Sequence, residues 1–159
     1  MTDKSRKLME KAIKQAEKTM KKDIGGPFGA LVVNPEGNIL AVASNTVLAD
    51  HDPTAHAEIN AIRQATQTIG SHDLSGCILY TTAHPCPMCL GAIIWSNIKT
   101  VIYGCRPEDA RKIGFRDDDM YAFIENGHDD ETVLKLEERH RESCLALFQE
   151  YSKLDKQVY

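Results

Sequence analysis

An α/β sandwich, with a sheet that is mostly parallel after an opening antiparallel hairpin, is the fold class this sequence predicts. Three observations carry that expectation. Segments of two-residue period alternate with segments of helical period along the chain. A turn-rich stretch, Asn34-Pro35-Glu36-Gly37-Asn38, separates two short apolar runs. A length of 159 residues suits one domain with its own hydrophobic core and leaves little room for a second.

The elements follow in order. Residues 3–22 read as a helix, because Met9, Ala12, Ile13, Ala16 and Met20 recur at three- and four-residue steps while lysines and glutamates fill the other face. Gly25-Gly26-Pro27 ends it. Residues 28–33 and 39–44 form the hairpin. After a polar loop, residues 58–69 read as a second helix with Ile59, Ile62, Ala65 and Ile69 as its stripe. Residues 77–82 are a compact β run, 87–96 a third helix, and 100–103 a strand closing at Gly104. Residues 107–125 read as helical or irregular pieces broken at Gly114. A loop at 126–130 precedes a candidate last strand at 133–136. The chain then forms a helix over 141–153, with Leu145, Phe148 and Tyr151 on one side.

Composition narrows the function classes. No apolar run approaches the roughly 18–20 residues a bilayer-spanning helix needs, so no membrane association is expected. Met1 to Lys7 lead into a charged amphipathic segment rather than an apolar one, which makes the cytoplasm the expected location. Five cysteines, an odd number, fit a reducing compartment better than a disulfide framework. Cys77, Cys105 and Cys144 lie in apolar surroundings and are expected as small buried residues. A net charge of −4 counts against a long polyanionic partner, so nucleic acid is not the expected ligand.

The chemistry is concentrated in two short segments. Pro53-Thr54-Ala55-His56-Ala57-Glu58 and Pro85-Cys86-Pro87-Met88-Cys89 together supply one imidazole, two thiols and a carboxylate that is not needed as a ligand. Zinc takes neutral imidazole and thiolate ligands, and a catalytic zinc keeps one position open for water. His56, Cys86 and Cys89 satisfy that count. The set matches a zinc site that removes amino groups from nucleobases. Pro87 suits a first helical position, placing Cys86 at the N-cap and both sulfurs at the positive end of a helix dipole. His56 and Glu58 are harder to reconcile, since residues two apart on an ideal helix point about 200° apart. They meet only if His56 lies at the helix start, outside regular geometry, and Pro53 and Thr54 are typical of a helix entry. Two thiolates weaken the metal as a Lewis acid. A base beside it is then needed, and Glu58 is the candidate to carry the water proton to the ring and the departing amine. A closed structural zinc site would want four ligands, and a redox pair would leave the His56–Glu58 segment without a role. His51, His72, His128 and His140 sit in polar stretches and read as solvated surface.

With those motifs, Ile24-Gly25-Gly26-Pro27-Phe28-Gly29-Ala30 and Cys77-Ile78-Leu79-Tyr80, the chain resembles the cytidine/deoxycytidylate deaminase superfamily. Within it, the small bacterial guanine deaminases are most similar, and the resemblance is weakest near residues 125–140. It implies a five-stranded mixed sheet between helices, a three-layer αβα arrangement, one zinc per chain, and conversion of guanine to xanthine and ammonia. It also implies a homodimer in which the segment from about residue 140 to 159 is exchanged between subunits. By the same resemblance Asn45, Phe28 and Ala57 contact the base, Asp117 in Gly114-Phe115-Arg116-Asp117-Asp118 recognises the purine, and the terminal Tyr159 closes the pocket. Two residues depart from the family pattern: His84 stands where a glutamate precedes Pro-Cys, and Arg116 replaces the first acid of its segment. The nearest rival is a tRNA adenosine deaminase. Guanosine, cytosine, isocytosine or an aminotriazine stay open as substrates, and so does a binding module that kept the metal without turnover.

Overall fold

The structure, a computed structural model, describes residues 3–156. Its elements are α1 (Asp3–Met20), β1 (Gly29–Val33), β2 (Ile39–Ser44), α2 (Val47–Asp50), α3 (Ala57–Ile69), β3 (Ile78–Ala83), α4 (Pro87–Trp95), β4 (Thr100–Cys105), α5 (Pro107–Lys112), α6 (Asp117–Glu125) and α7 (Arg141–Tyr151). They divide into two compact units, residues 1–121 and 122–159.

In the first unit the strands form one mixed sheet in the order β2-β1-β3-β4. β1 pairs antiparallel with both β2 and β3, and only β3 and β4 run parallel. The sheet has helices on both faces. On one, α1 sets Leu8 and Ala12 against Leu31, Val33 and Tyr80. On the other, Ala57, Ala61, Ile62 and Ala65 of α3 and Ile93 of α4 pack on Ala30, Val32, Ala41, Ala43 and Leu79. Alternate residues of each strand therefore serve opposite layers, as the two-residue pleat requires. The alanines keep α3 close to the sheet, and its first turn is what holds the site.

Several expectations are corrected. The sheet has four strands among the described residues, not five. Residues 133–136 do not form a strand, because Asp130 turns the chain locally instead. Its Oδ1 accepts from Thr132 N and Oγ1, and its carbonyl accepts from Val133 N and Leu134 N. Those N–H groups are thus spent before any ladder could use them. The buried stripe of α1 is Ser5, Leu8, Ala12, Ala16 and Thr19, while Ile13 and Met20 are exposed. The polar loop after β2 contains the short helix α2. Cys77 is buried as expected, but Cys105 and Cys144 are exposed. Cys105 ends β4, which is an edge strand, and Cys144 lies on α7, which has no buried residue. The four expected surface histidines are all exposed.

The second unit carries the end of α6 and α7, joined by a segment without regular structure. Val133, Leu134, Leu136, Leu147, Phe148, Tyr151 and Leu154 are all exposed in it. The break expected at Gly114 is present: its φ of 96° lies in the left-handed region that a side chain rarely adopts.

Candidate active site

Both ligand segments enter helices. Asp52 Oδ1 accepts from the N–H and the hydroxyl of Thr54 at 2.7 Å each, turning the chain ahead of α3. Asn60 Nδ2 then ties α3 to the end of β2, donating to Ser44 O at 3.0 Å and Thr46 Oγ1 at 2.9 Å. His56 becomes the N-cap of α3, with an extended backbone of φ −70° and ψ 157°, and Glu58 falls in the first turn. That conformation removes the conflict expected of two residues on a regular helix. Cys86 is likewise the N-cap of α4, with φ −68° and ψ 169° and Pro87 in the first turn behind it. Cys89 follows one turn on. Two helix N-termini thus face the same point, and their positive ends favour thiolate there.

His56 Nδ1 lies 3.6 Å from Cys86 Sγ and 3.6 Å from Cys89 Sγ. The three ligand atoms are within 4.8 Å of one another. A tetrahedral zinc with its usual bonds to nitrogen and sulfur would separate those atoms by about 3.5 Å, so the cluster fits zinc with Nδ1 as the nitrogen ligand. No fourth protein ligand joins it among the described residues, which leaves one coordination position for water.

Charge and burial are arranged around this cluster. The Cys86 thiol is lowered to about 4, chiefly by the hydrogen bond from Cys89 and then by that to His56. The same bond, with burial and the nearby Glu58, pushes Cys89 up. A divalent cation bound there would displace the thiol protons. His56 is raised, first by its hydrogen bond to Cys86. Glu58 is buried, and burial raises its carboxyl, partly offset by hydrogen bonds from its own backbone and Thr81. Thr81 Oγ1 donates to Glu58 Oε1 at 2.8 Å, while Oε2 lies 3.6 Å from Cys89 Sγ.

A cavity of about 30 Å³ opens beside the cluster, and His56, Glu58, Cys86, Phe28, Asn45 and Asp117 all line it. Asn45 is buried, and its Oδ1 accepts from Gly26 N at 3.1 Å and Val47 N at 3.2 Å. The amide orientation is thereby set, and Nδ2 is the group left to serve a ligand. Gly25 permits this close approach, since a Cβ there would collide with Asn45 O and Oδ1. Phe28 meets Phe115 edge to face with centroids 4.6 Å apart. Burial, followed by the charge of Cys86, raises the Asp117 carboxyl. Ala57 is fully buried in the α3 core cluster and is not among the lining residues. Tyr159 lies outside the described residues.

Of the two departures, one enters the site. His84 is half-buried and lines the cavity. Its Nδ1 is 3.3 Å from Tyr121 Oη, whose hydroxyl donates to Pro85 O at 2.7 Å, and its ring meets Tyr103 edge to face at 4.9 Å. Arg116 is exposed and does not line the cavity. Thr81, Phe115 and Tyr121 are the site neighbours that sequence reading did not single out. Thr81 alone left a signal: a polar residue in the inward row of a strand, between Leu79 and Ala83.

Comparison with known proteins agrees with this geometry. The model of the cytidine and deoxycytidylate deaminase zinc-binding region matches residues 2–105. Guanine deaminase of Bacillus subtilis is 43% identical over 125 residues, 79% of this chain and 80% of that protein. A tRNA-specific adenosine deaminase of Haemophilus influenzae is 38% identical over 111 residues, 69% of this chain and 63% of that one. The crystal structure of guanine deaminase from Bacillus subtilis superposes with a TM-score of 0.89 at 37% identity, covering 100% of this chain and 99% of that one. With the ligand triad, the buried carboxylate and the matched segment in register, this chain belongs to the zinc-dependent cytidine/deoxycytidylate deaminase family.

Proposed function

We propose that this protein hydrolyses guanine to xanthine and ammonia. The observation that carries the reading is one cavity in which a metal triad, a buried carboxylate, an oriented amide and a second acid converge. The similarity to guanine deaminase over four-fifths of both proteins supports the choice of base. His56, Cys86 and Cys89 would hold a zinc ion, which would supply a Lewis-acidic position for activating water near neutral pH.

The chain's own residues do the rest. Glu58 Oε2 takes one proton from the attacking water and passes it to a ring nitrogen. It then takes the second from the newly added hydroxyl and passes it to the amine, which leaves as ammonia as the carbonyl forms. Asn45 Nδ2 donates to an acceptor of the base. Asp117 accepts from the ring N–H and exocyclic amine, so a base lacking those donors leaves a carboxylate unpaired. Phe28 and Phe115 bound the ring faces. Ala57 contributes through its main-chain N–H at the start of α3.

The chain is further proposed to act as a cytoplasmic homodimer whose C-terminal segment is exchanged between subunits. Support comes from α7, which buries no residue, and from exposed Ile94 on α4. No helix among the described residues is long and apolar enough to cross a membrane.

The reading is tested by ammonia release from guanine, guanosine, cytosine, isocytosine, adenine and tRNA. Guanine is expected to be turned over fastest, and activity on tRNA alone overturns the substrate. Glu58→Gln should retain one zinc per chain while kcat falls by roughly 10²- to 10⁴-fold. Parental turnover in that variant removes Glu58 as the proton carrier.

A further inference from the structure

Thr81 is a polar residue where the fold asks for an apolar one. On β3 it lies between Leu79, which packs under α3, and Ala83, and the three share one face of the strand. It is fully buried, and it pairs in register with Ala30 on β1 and Tyr103 on β4. Its backbone is therefore paired on both sides, with β3 lying inside the sheet between β1 and β4. Its hydroxyl donates to Glu58 Oε1 at 2.8 Å, linking that rigid strand to the first turn of α3.

The two oxygens of Glu58 are consequently not equivalent. Oε1 points to the sheet, and Oε2 is 3.6 Å from Cys89 Sγ, on the side of the ligand cluster. A carboxylate has two-fold torsional freedom about its last bond, and this hydrogen bond removes it. A buried strand is a more accurate anchor than a loop, and proton transfer falls off steeply with misplacement of the carrier.

We propose that Thr81 is a positioning residue for the deamination. Its hydroxyl holds Glu58 by Oε1 against the sheet, so that Oε2 alone is presented to the reacting water and base. The inference rests on the role of Glu58 set out above and deepens it. Thr81 touches neither ligand nor substrate, and it is not among the residues lining the cavity.

Thr81→Val is close to isosteric and removes only the hydroxyl. With guanine as substrate, kcat is expected to fall by about 10- to 100-fold, the span of a lost hydrogen bond to a charged group. KM should stay within about twofold and zinc content near parental. Thr81→Ser restores the hydroxyl and should recover most of kcat. In the Glu58→Gln background, Thr81→Val should add less than about twofold, because its effect runs through the carboxylate. Parental kcat in Thr81→Val, or an equal fold-loss in both backgrounds, overturns the proposal. Should the valine variant not fold, Thr81→Ala gives the same comparison without added bulk. If Glu58→Gln itself turns over normally, the assignment of Glu58 has failed; if only Thr81→Val does, this inference alone has.

Discussion

Two carboxylates face one cavity, and their surroundings give them different work. Glu58 is sealed beneath the ligand cluster and anchored by Thr81, which suits a group that carries a proton over a short path. Asp117 is half-buried and lines the same cavity, which suits a group waiting for donors from a base. Replacing Asp117 with Asn keeps the volume but turns half of an acceptor into a donor. The expected outcome is a loss of about 10- to 100-fold in kcat/KM for guanine, with zinc content unchanged. Competition between guanine and adenine, read by chromatography, checks it: selectivity for guanine should narrow in the variant. An unchanged ratio would show that another group reads the ring. Much of this was legible in the sequence, because ligand chemistry is written in residue identity: one imidazole, two thiols and an acid at short spacings. His84 was less legible. Only the fold brings Tyr121 and Tyr103 beside it, and those contacts turn its ring into cavity wall rather than solvent-facing surface.

Elements place these groups, and the accuracy of placement depends on how helices begin. Pro87 and the Asp52–Thr54 turn mark the two helix starts plainly, so the convergence of His56, Cys86 and Cys89 was readable from local signals. What was not readable depends on neighbours. The segment 133–136 has the composition of a strand, yet the Asp130 carbonyl takes the N–H groups of Val133 and Leu134. The stripe of α1 is shifted toward small residues, because Ala12 and Ala16 let the helix sit close to Gly29, where a Cβ would meet the Ala12 carbonyl. Close approach also governs the loop before β1. Gly25→Ala should push Asn45 and the end of β2 outward, destabilising the fold by about 1–3 kcal/mol. Urea unfolding measures that cost, and KM for guanine should rise in parallel as Asn45 shifts. A rise in KM without lost stability would instead point to the loop's mobility.

For the whole molecule, the decisive feature is apolar surface that one chain leaves uncovered. α7 buries no residue, and Leu147 and Phe148 are 64% and 70% exposed. On the first unit, Ile94 is 67% exposed near the end of α4, a helix that buries only Cys89 and Ile93. An amphipathic helix derives most of its stability from packing, so α7 without a buried face requires a surface to rest on. A second copy of the chain is the occupant that a symmetric oligomer offers, and stable interfaces of this kind bury roughly 1,200–2,000 Å² or more. Sedimentation equilibrium should therefore give twice the chain mass of 17.7 kDa. Phe148→Glu places a charge on the exposed apolar surface of α7 and, if that surface is the proposed dimer contact, should shift the species toward monomer at micromolar concentration. Zinc bound by His56, Cys86 and Cys89 should remain, since those ligands all belong to the first unit. If the exchanged segment also completes the base site, the same variant loses kcat/KM for guanine by tenfold or more as the dimer dissociates, and activity becomes dependent on protein concentration. A monomeric parent with full turnover would leave α7 without the role its composition demands and would take the partner's segment out of the reaction.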